Sequence, residues 1–163
     1  MSFEEIRVIT VVYLAVFLPL FIYFTNKSKL PNWIPTFYIV GVVVCALGWE
    51  LWFTYGWLDG HSVDIRRSEV LNTWLPKNLN WLMNSMGDAG AVLLGGVWLM
   101  WLTHRKDATI FKQWRWSAFT ILIFWCISQN ILVEMFLYHD QLADGKPLSW
   151  APMSPLGPYF NPI

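Results

Sequence analysis

The chain has 163 residues, 56% of them apolar and only 13% charged, against about 25% charged in an ordinary water-soluble domain. A chain this short cannot cover its surface at that charge density, which excludes a soluble enzyme and a disordered tail. Basic and acidic residues balance at 11 each, so there is no basic field for nucleic acid.

Four segments are long and apolar enough for membrane helices, which need about 20 such residues: Val8–Phe24, Ile34–Trp57, Leu82–Thr103 and Trp116–Tyr138. Pro19 inside the first is tolerable where neighbours satisfy the freed backbone group, and Pro35 sits in the first turn of the second. The first segment does not resemble a cleaved signal peptide: Glu4 and Glu5 precede it, and no small-residue cleavage site follows. Between the second and third, Val70, Leu71, Trp74 and Leu75 recur at helical spacing before Pro76, predicting a short amphipathic helix in the interface. Residues 141–163 hold five of the nine prolines. They are expected to form an extracytoplasmic tail, with Trp150, Tyr159 and Phe160 favouring a cover over the bundle. The fold class expected is therefore all-α: a four-transmembrane-helix bundle over residues 1–140, a short interfacial helix and a Pro-rich C-terminal tail.

Loops one and three carry Lys27, Lys29, Arg105, Lys106, Lys112 and Arg115 against one acid, Asp107. The other end carries Arg7, Arg66, Arg67, Lys77 and Lys146 with seven acids. The close-packed basic residues predict that loops one and three are cytosolic and both termini non-cytosolic, in a bacterial inner membrane or a eukaryotic endomembrane. His104, with Arg105 and Lys106, is expected to meet lipid phosphates. Cys45 and Cys126 both lie in apolar runs and suggest no disulfide framework. Of the 12 Trp, Trp33, Trp57, Trp101, Trp114 and Trp116 fall at span ends as interface anchors. Trp49, Trp52, Trp98 and Trp125 lie inside the spans and suit packing or the walls of a ligand pocket. Gly87, Ala91 and Gly95 form a small-residue stripe, with Gly90 and Gly96 beside it. It suits close helix packing or a flat ligand against bare backbone.

A charged side chain within a span costs about 2.5–3.5 kcal/mol on insertion scales, yet Glu50, Asp88 and Glu134 each lie in one. Counted at 1.5 Å per residue, all three fall within roughly 10 Å of the same membrane face. Gln129 and Asn130 share the fourth span, with Asn130 four residues before Glu134. No Lys or Arg lies within the spans, and a neutral carboxylic acid beside an ionised one is what proton transfer needs. The three acids are the catalytic candidates. The four Trp, Gln129 and Asn130 are the ligand-binding candidates. Asp59, His61, Asp64 and His139 are weak candidates for a metal, their spacing matching no strong signature. No cofactor is expected.

At these residues the chain resembles the emopamil-binding-protein and sterol isomerase (EXPERA-like) group. Glu50-Leu51-Trp52-Phe53 is similar to that group's Glu-Gly-Trp-Phe on its second span. Asp88 with Gly96 and Trp101 resembles its acid-bearing third span, and Gln129 with Glu134 a Gln and an acid on its fourth. The resemblance covers roughly residues 46–140. Ala46 stands where the isomerases carry His, and Asp88 where they carry Glu. It implies a compact bundle whose acids and aromatics hold a sterol-like or isoprenoid ligand, with proton transfer or double-bond isomerisation as the chemistry. The alternative is a non-catalytic accessory subunit of a larger membrane complex. The partners expected are membrane lipids, a hydrophobic small molecule and either other membrane subunits or a second copy. A proton or metal pathway through the same acids ranks last, because the cytosolic half offers almost no polar lining.

Overall fold

The computed structural model describes residues 1–56 and 62–136, with the side chains of Glu4, Ala108 and 130–136 outside it. The described residues are helical, with no strands. Helix α1 (Phe3–Asn26) is followed by α2 (Ile34–Leu47), α3 (Trp49–Tyr55), α4 (Val63–Arg66) and α5 (Glu69–Trp74). Helix α6 (Lys77–Asp88) continues through a π segment (Ala89–Leu94) into α7 (Gly95–Thr103), and α8 spans Trp116–Phe136. Two helices are long and apolar enough to cross a membrane, Glu5–Lys29 and Lys77–Thr103, and a third if α2 and α3 count as one bent span. The apolar stretch searched in α8 is shorter, Trp116–Gln129. The tail 141–163 lies outside the described residues.

Local sequence sets where each helix begins and bends. Ser2 and Glu5 form a reciprocal cap on α1. The free oxygen of that Glu5 accepts from Ser68 Oγ at 2.6 Å, and Ser68 in turn caps α5 through Leu71 N–H. The start of α1 and the 62–76 segment therefore share one end of the bundle. At the other end Trp33 meets the Phe111 ring edge-on at 5.8 Å, so loops one and three lie together.

Val8, Val12 and Val16 recur every four residues and bury one stripe of α1 against Leu71, Leu75 and Met83. The segment expected to lie in the interface thus turns its apolar face inward. Leu71 and Leu75 are buried on α1, leaving Trp74 54% exposed. Burying each Leu from water contributes about 1.5–3 kcal/mol. The small residues of α6, the π segment and α7 allow close helix packing. Gly87 and Gly90 face Ala15, Val16 and Pro19 of α1, whereas Gly95 and Gly96 face Trp125 and Leu122 of α8.

Loop three differs from expectation in two places. His104 contacts Met100 O at 2.8 Å and Ser117 Oγ at 2.9 Å, so its ring joins α7 to α8 instead of facing lipid phosphate. Trp101, expected at the interface, is 2% exposed. Arg105 (φ 59°) and Lys106 (φ 62°) are both left-handed, and Asp107 N–H donates to His104 O at 3.1 Å. This is a type I′ turn, which ordinarily takes Asn-Gly. Arg105→Asn is therefore expected to stabilise the fold by about 0.5 kcal/mol by easing the left-handed strain. A thermal melt in mild detergent measures it.

Candidate functional site

Glu50 reaches the interior because the second apolar run is broken into two helices. Helix α2 stops at Leu47, Gly48 carries φ −104° and ψ −107°, and α3 leaves at 42° to α2. A Cβ on Gly48 would lie 2.8 Å from the Val44 carbonyl oxygen, so only glycine fits this bend. A broken helix frees backbone carbonyls that must find donors elsewhere. Trp81 Nε1 supplies one, donating to Ala46 O at 2.8 Å. The bend turns α3 so that Glu50, Trp52, Phe53 and Thr54 are all buried.

Glu50 is 0% exposed. Thr54 Oγ1 donates to its Oε2 at 3.2 Å, while Oε1 has no hydrogen-bond partner among the described residues. Asn84 approaches the carboxyl from α6 closely enough to act on it as a donor, although its buried Nδ2 does not reach full hydrogen-bond geometry. Asp88, one turn further along α6 and half-buried, is within electrostatic reach of Glu50. Cys45 at the end of α2 is within reach of both acids. Two of the three predicted acids are thus brought together by the α2–α3 bend and α6. Trp52 is buried in the same helix as Glu50, with Nε1 unpartnered among the described residues, and Trp49, 41% exposed, packs on it at 4.9 Å.

Sequence reasoning missed the cations. No basic residue lies in a span, but α4 carries Arg66 back beneath the bundle. Arg66 is 0% exposed, its Nη2 donates to Phe53 O at 2.7 Å, and its guanidinium lies 4.6 Å from the Phe53 ring centre. It is close enough to Glu50 to act on its charge. Arg67 donates to Asn72 Oδ1 at 2.7 Å, to Asn80 Oδ1 at 2.8 Å and to Leu75 O. Burial and the neighbouring Arg66 bring its pKa down to about 10, which still leaves it charged at neutral pH. The available signal was the dipeptide itself: two adjacent arginines between Ser62 and Ser68, serines that stand at the starts of α4 and α5.

The other predicted residues are scattered. Trp98 and Trp125 line an almost wholly apolar cavity of about 370 Å³, away from Glu50. It lies between α1 and α8, and the π segment and α7 form its floor. Trp125 Nε1 donates to Ala91 O there at 2.8 Å. Gln129 is half-buried on α8. The Glu134 and Asn130 side chains, and all of Asp59, His61 and His139, lie outside the described residues. Asp64, the remaining metal candidate, pairs with Lys77 at 3.0 Å. Burial pushes its carboxyl up, but Ser62 and Lys77 outweigh that and hold it below the usual value. Among the described residues no three His, Cys, Asp or Glu cluster as metal ligands.

The Glu50 cluster can therefore present an acceptor and a donor side by side in an enclosed place. The two acids beside it differ in their neighbours: Glu50 is close to Arg66 and Thr54, while Asp88 has no hydrogen bond or ion pair among the described residues. No family model, no curated protein and no solved structure matches the chain.

Proposed function

We propose that α1, α2 with α3, α6 with α7, and α8 all cross the membrane, with loops one and three cytosolic. On this reading the bundle holds a hydrophobic alcohol, sterol-like or isoprenoid, by its polar end at Glu50. One observation carries the ligand class: Glu50 Oε1 and Asn84 Nδ2 are buried against each other, close enough for the amide to act on the carboxyl yet outside full hydrogen-bond geometry. Leaving either buried group unsatisfied costs about 1–3 kcal/mol. A hydroxyl answers both at one atom, donating to the carboxylate and accepting from the amide. Trp52 and Phe53 on the same helix supply apolar surface for the ligand body. Glu50 and Asp88 then stand as an acid and a base for proton transfer or a double-bond shift in the bound molecule. This mode is also the one implied by the resemblance to the emopamil-binding-protein group.

The test is lipid extraction and mass spectrometry of the protein purified in mild detergent, beside Glu50→Gln. We expect a neutral hydroxylated hydrophobe near one per chain in the wild type. Replacing the carboxyl oxygen that faces Asn84 by an amide that cannot reproduce its hydrogen bonding should weaken retention about tenfold in the variant. Equal retention in both proteins, or a stoichiometric protein partner with no small molecule, would overturn the assignment.

A further inference from the structure

We propose that the groove between α1 and α8, separate from the Glu50 cluster, binds one acyl chain of an anionic phospholipid whose headgroup rests on Lys27 and Lys29. The groove exists because α8 packs on α7 and the π segment while α1 packs on α6 and the π segment, and α1 and α8 have no comparable packing on one another among the described residues. Leu14, Leu18 and Ile22 form one wall, Leu94 and Trp98 the floor, and Trp125 the other wall. At about 370 Å³ it lies at the small end of ligand sites. It suits a stretch of one chain and is too small for a whole lipid.

Charge selects the occupant. The lining reaches Tyr23 and then Leu30, and the short turn between them, Lys27–Lys29, places two exposed lysines at that end. Neither has an ion-pair partner among the described residues. No acid occurs in the sequence between Glu5 and Glu50. Loop three, which packs beside this end, adds Arg105, Lys106, Lys112 and Arg115 with a single acid. That acid is already engaged, since Asp107 accepts from Thr109 N–H at 2.8 Å and from its hydroxyl at 2.5 Å. An apolar slot that opens under uncompensated lysines complements a lipid with an anionic head and an apolar chain. A second copy fits less well. An axis along the membrane normal would set its own Lys27 and Lys29 at the same depth, opposing like charges.

The experiment compares retention of phosphatidylglycerol and phosphatidylcholine by native mass spectrometry after exchange into mixed bilayer nanodiscs and release into mild detergent. The wild type should retain phosphatidylglycerol at least fivefold over phosphatidylcholine. Leu18→Trp fills the groove from a position already 50% exposed and should abolish retention of both lipids. Leu14→Trp, at 52% exposure, should repeat the result if Leu18→Trp folds poorly. The double variant Lys27→Gln with Lys29→Gln should keep the chain and lose the preference. Equal retention of the two lipids by the wild type, or full retention in both Trp variants, would overturn the proposal. So would a dimer that only the Trp variants dissociate. The Glu50 measurements above read a different ligand at a different place, so either result can fail alone.

Discussion

Gly90→Leu is expected to destabilise the bundle by about 3 kcal/mol, the upper part of the range for forcing bulk into a packed interior. The reason lies in α1. Pro19 has no N–H, so the carbonyl of Ala15, four residues earlier, loses its helical partner. A Cβ on Gly90 would sit 2.8 Å from that same carbonyl oxygen and 3.4 Å from Pro19 Cγ. Bare glycine backbone lets the helices close over the freed carbonyl, which suits a weak Cα–H···O contact. Backbone cannot swing aside, so any side chain must push the two helices apart. Neighbouring glycines should respond differently. A Cβ on Gly96 would meet Leu122 Cδ1 at 2.5 Å, the end of a flexible side chain, and one on Gly87 only Ala15 Cβ at 3.3 Å. Alanine at Gly87 also gains helix propensity of about 1 kcal/mol, so Gly87→Ala should be close to neutral. Denaturant titration of Gly90→Leu, Gly96→Ala and Gly87→Ala in detergent should rank them in that order from most to least harmful. A mild Gly90→Leu would show that α1 is not seated as described.

Arg67→Met should cost about 3–5 kcal/mol, because it strips a buried charged donor from three acceptors at once. Asn72 Oδ1, Asn80 Oδ1 and Leu75 O would each be left without that partner. Asn80 is 0% exposed and Leu75 is buried beside it, so water cannot readily replace the lost donors. Lysine keeps the charge but not the planar fork that addresses three sites, so Arg67→Lys should recover only a minority of the loss. Thermal unfolding at neutral pH, where an arginine with a pKa of about 10 remains protonated, isolates the hydrogen bonds from titration. The same melts should leave the helices of residues 95–129 largely intact if the 62–80 segment unfolds first, as protease cleavage after brief heating would report.

What the sequence made legible was hydropathy and depth. The apolar runs became helices within a few residues of their expected bounds because length and apolar content decide that question locally. Residue counting along the helix axes placed Glu50 and Asp88 at one level, and the structure brings them within electrostatic reach of each other. Azimuth was not legible. Whether Glu50 faces inward depends on the bend at Gly48, where a Cβ would meet Val44 O and only glycine fits, a condition that no periodicity encodes. Trp52 and Trp98 both sit inside spans, yet one is buried beside Glu50 and the other floors the α1–α8 groove. Arg66 and Arg67 counted as loop charges, because their partners, Phe53 O and Asn80, lie 13 residues away on other helices. Charge in a loop says little about where the loop folds.

The π segment explains why one helix can serve two sites. Gly95 N–H donates to Gly90 O, the i to i−5 pattern, which admits an extra residue to the turn. One residue is about 100° of rotation in a regular helix. Asp88 and Asn84 therefore look toward α3, while Gly95, Gly96 and Trp98, on the same continuous rod, look toward α8 and the groove. Loss of a single residue between Ala89 and Leu94 would keep both functional sets of side chains in the chain but swing the second half by about a quarter-turn. Trp98 would then leave the groove floor, and a bulkier face would meet Trp125. The two halves are thus free to diverge: how each is aimed is set at this join, so residues on either side can change without re-aiming the other.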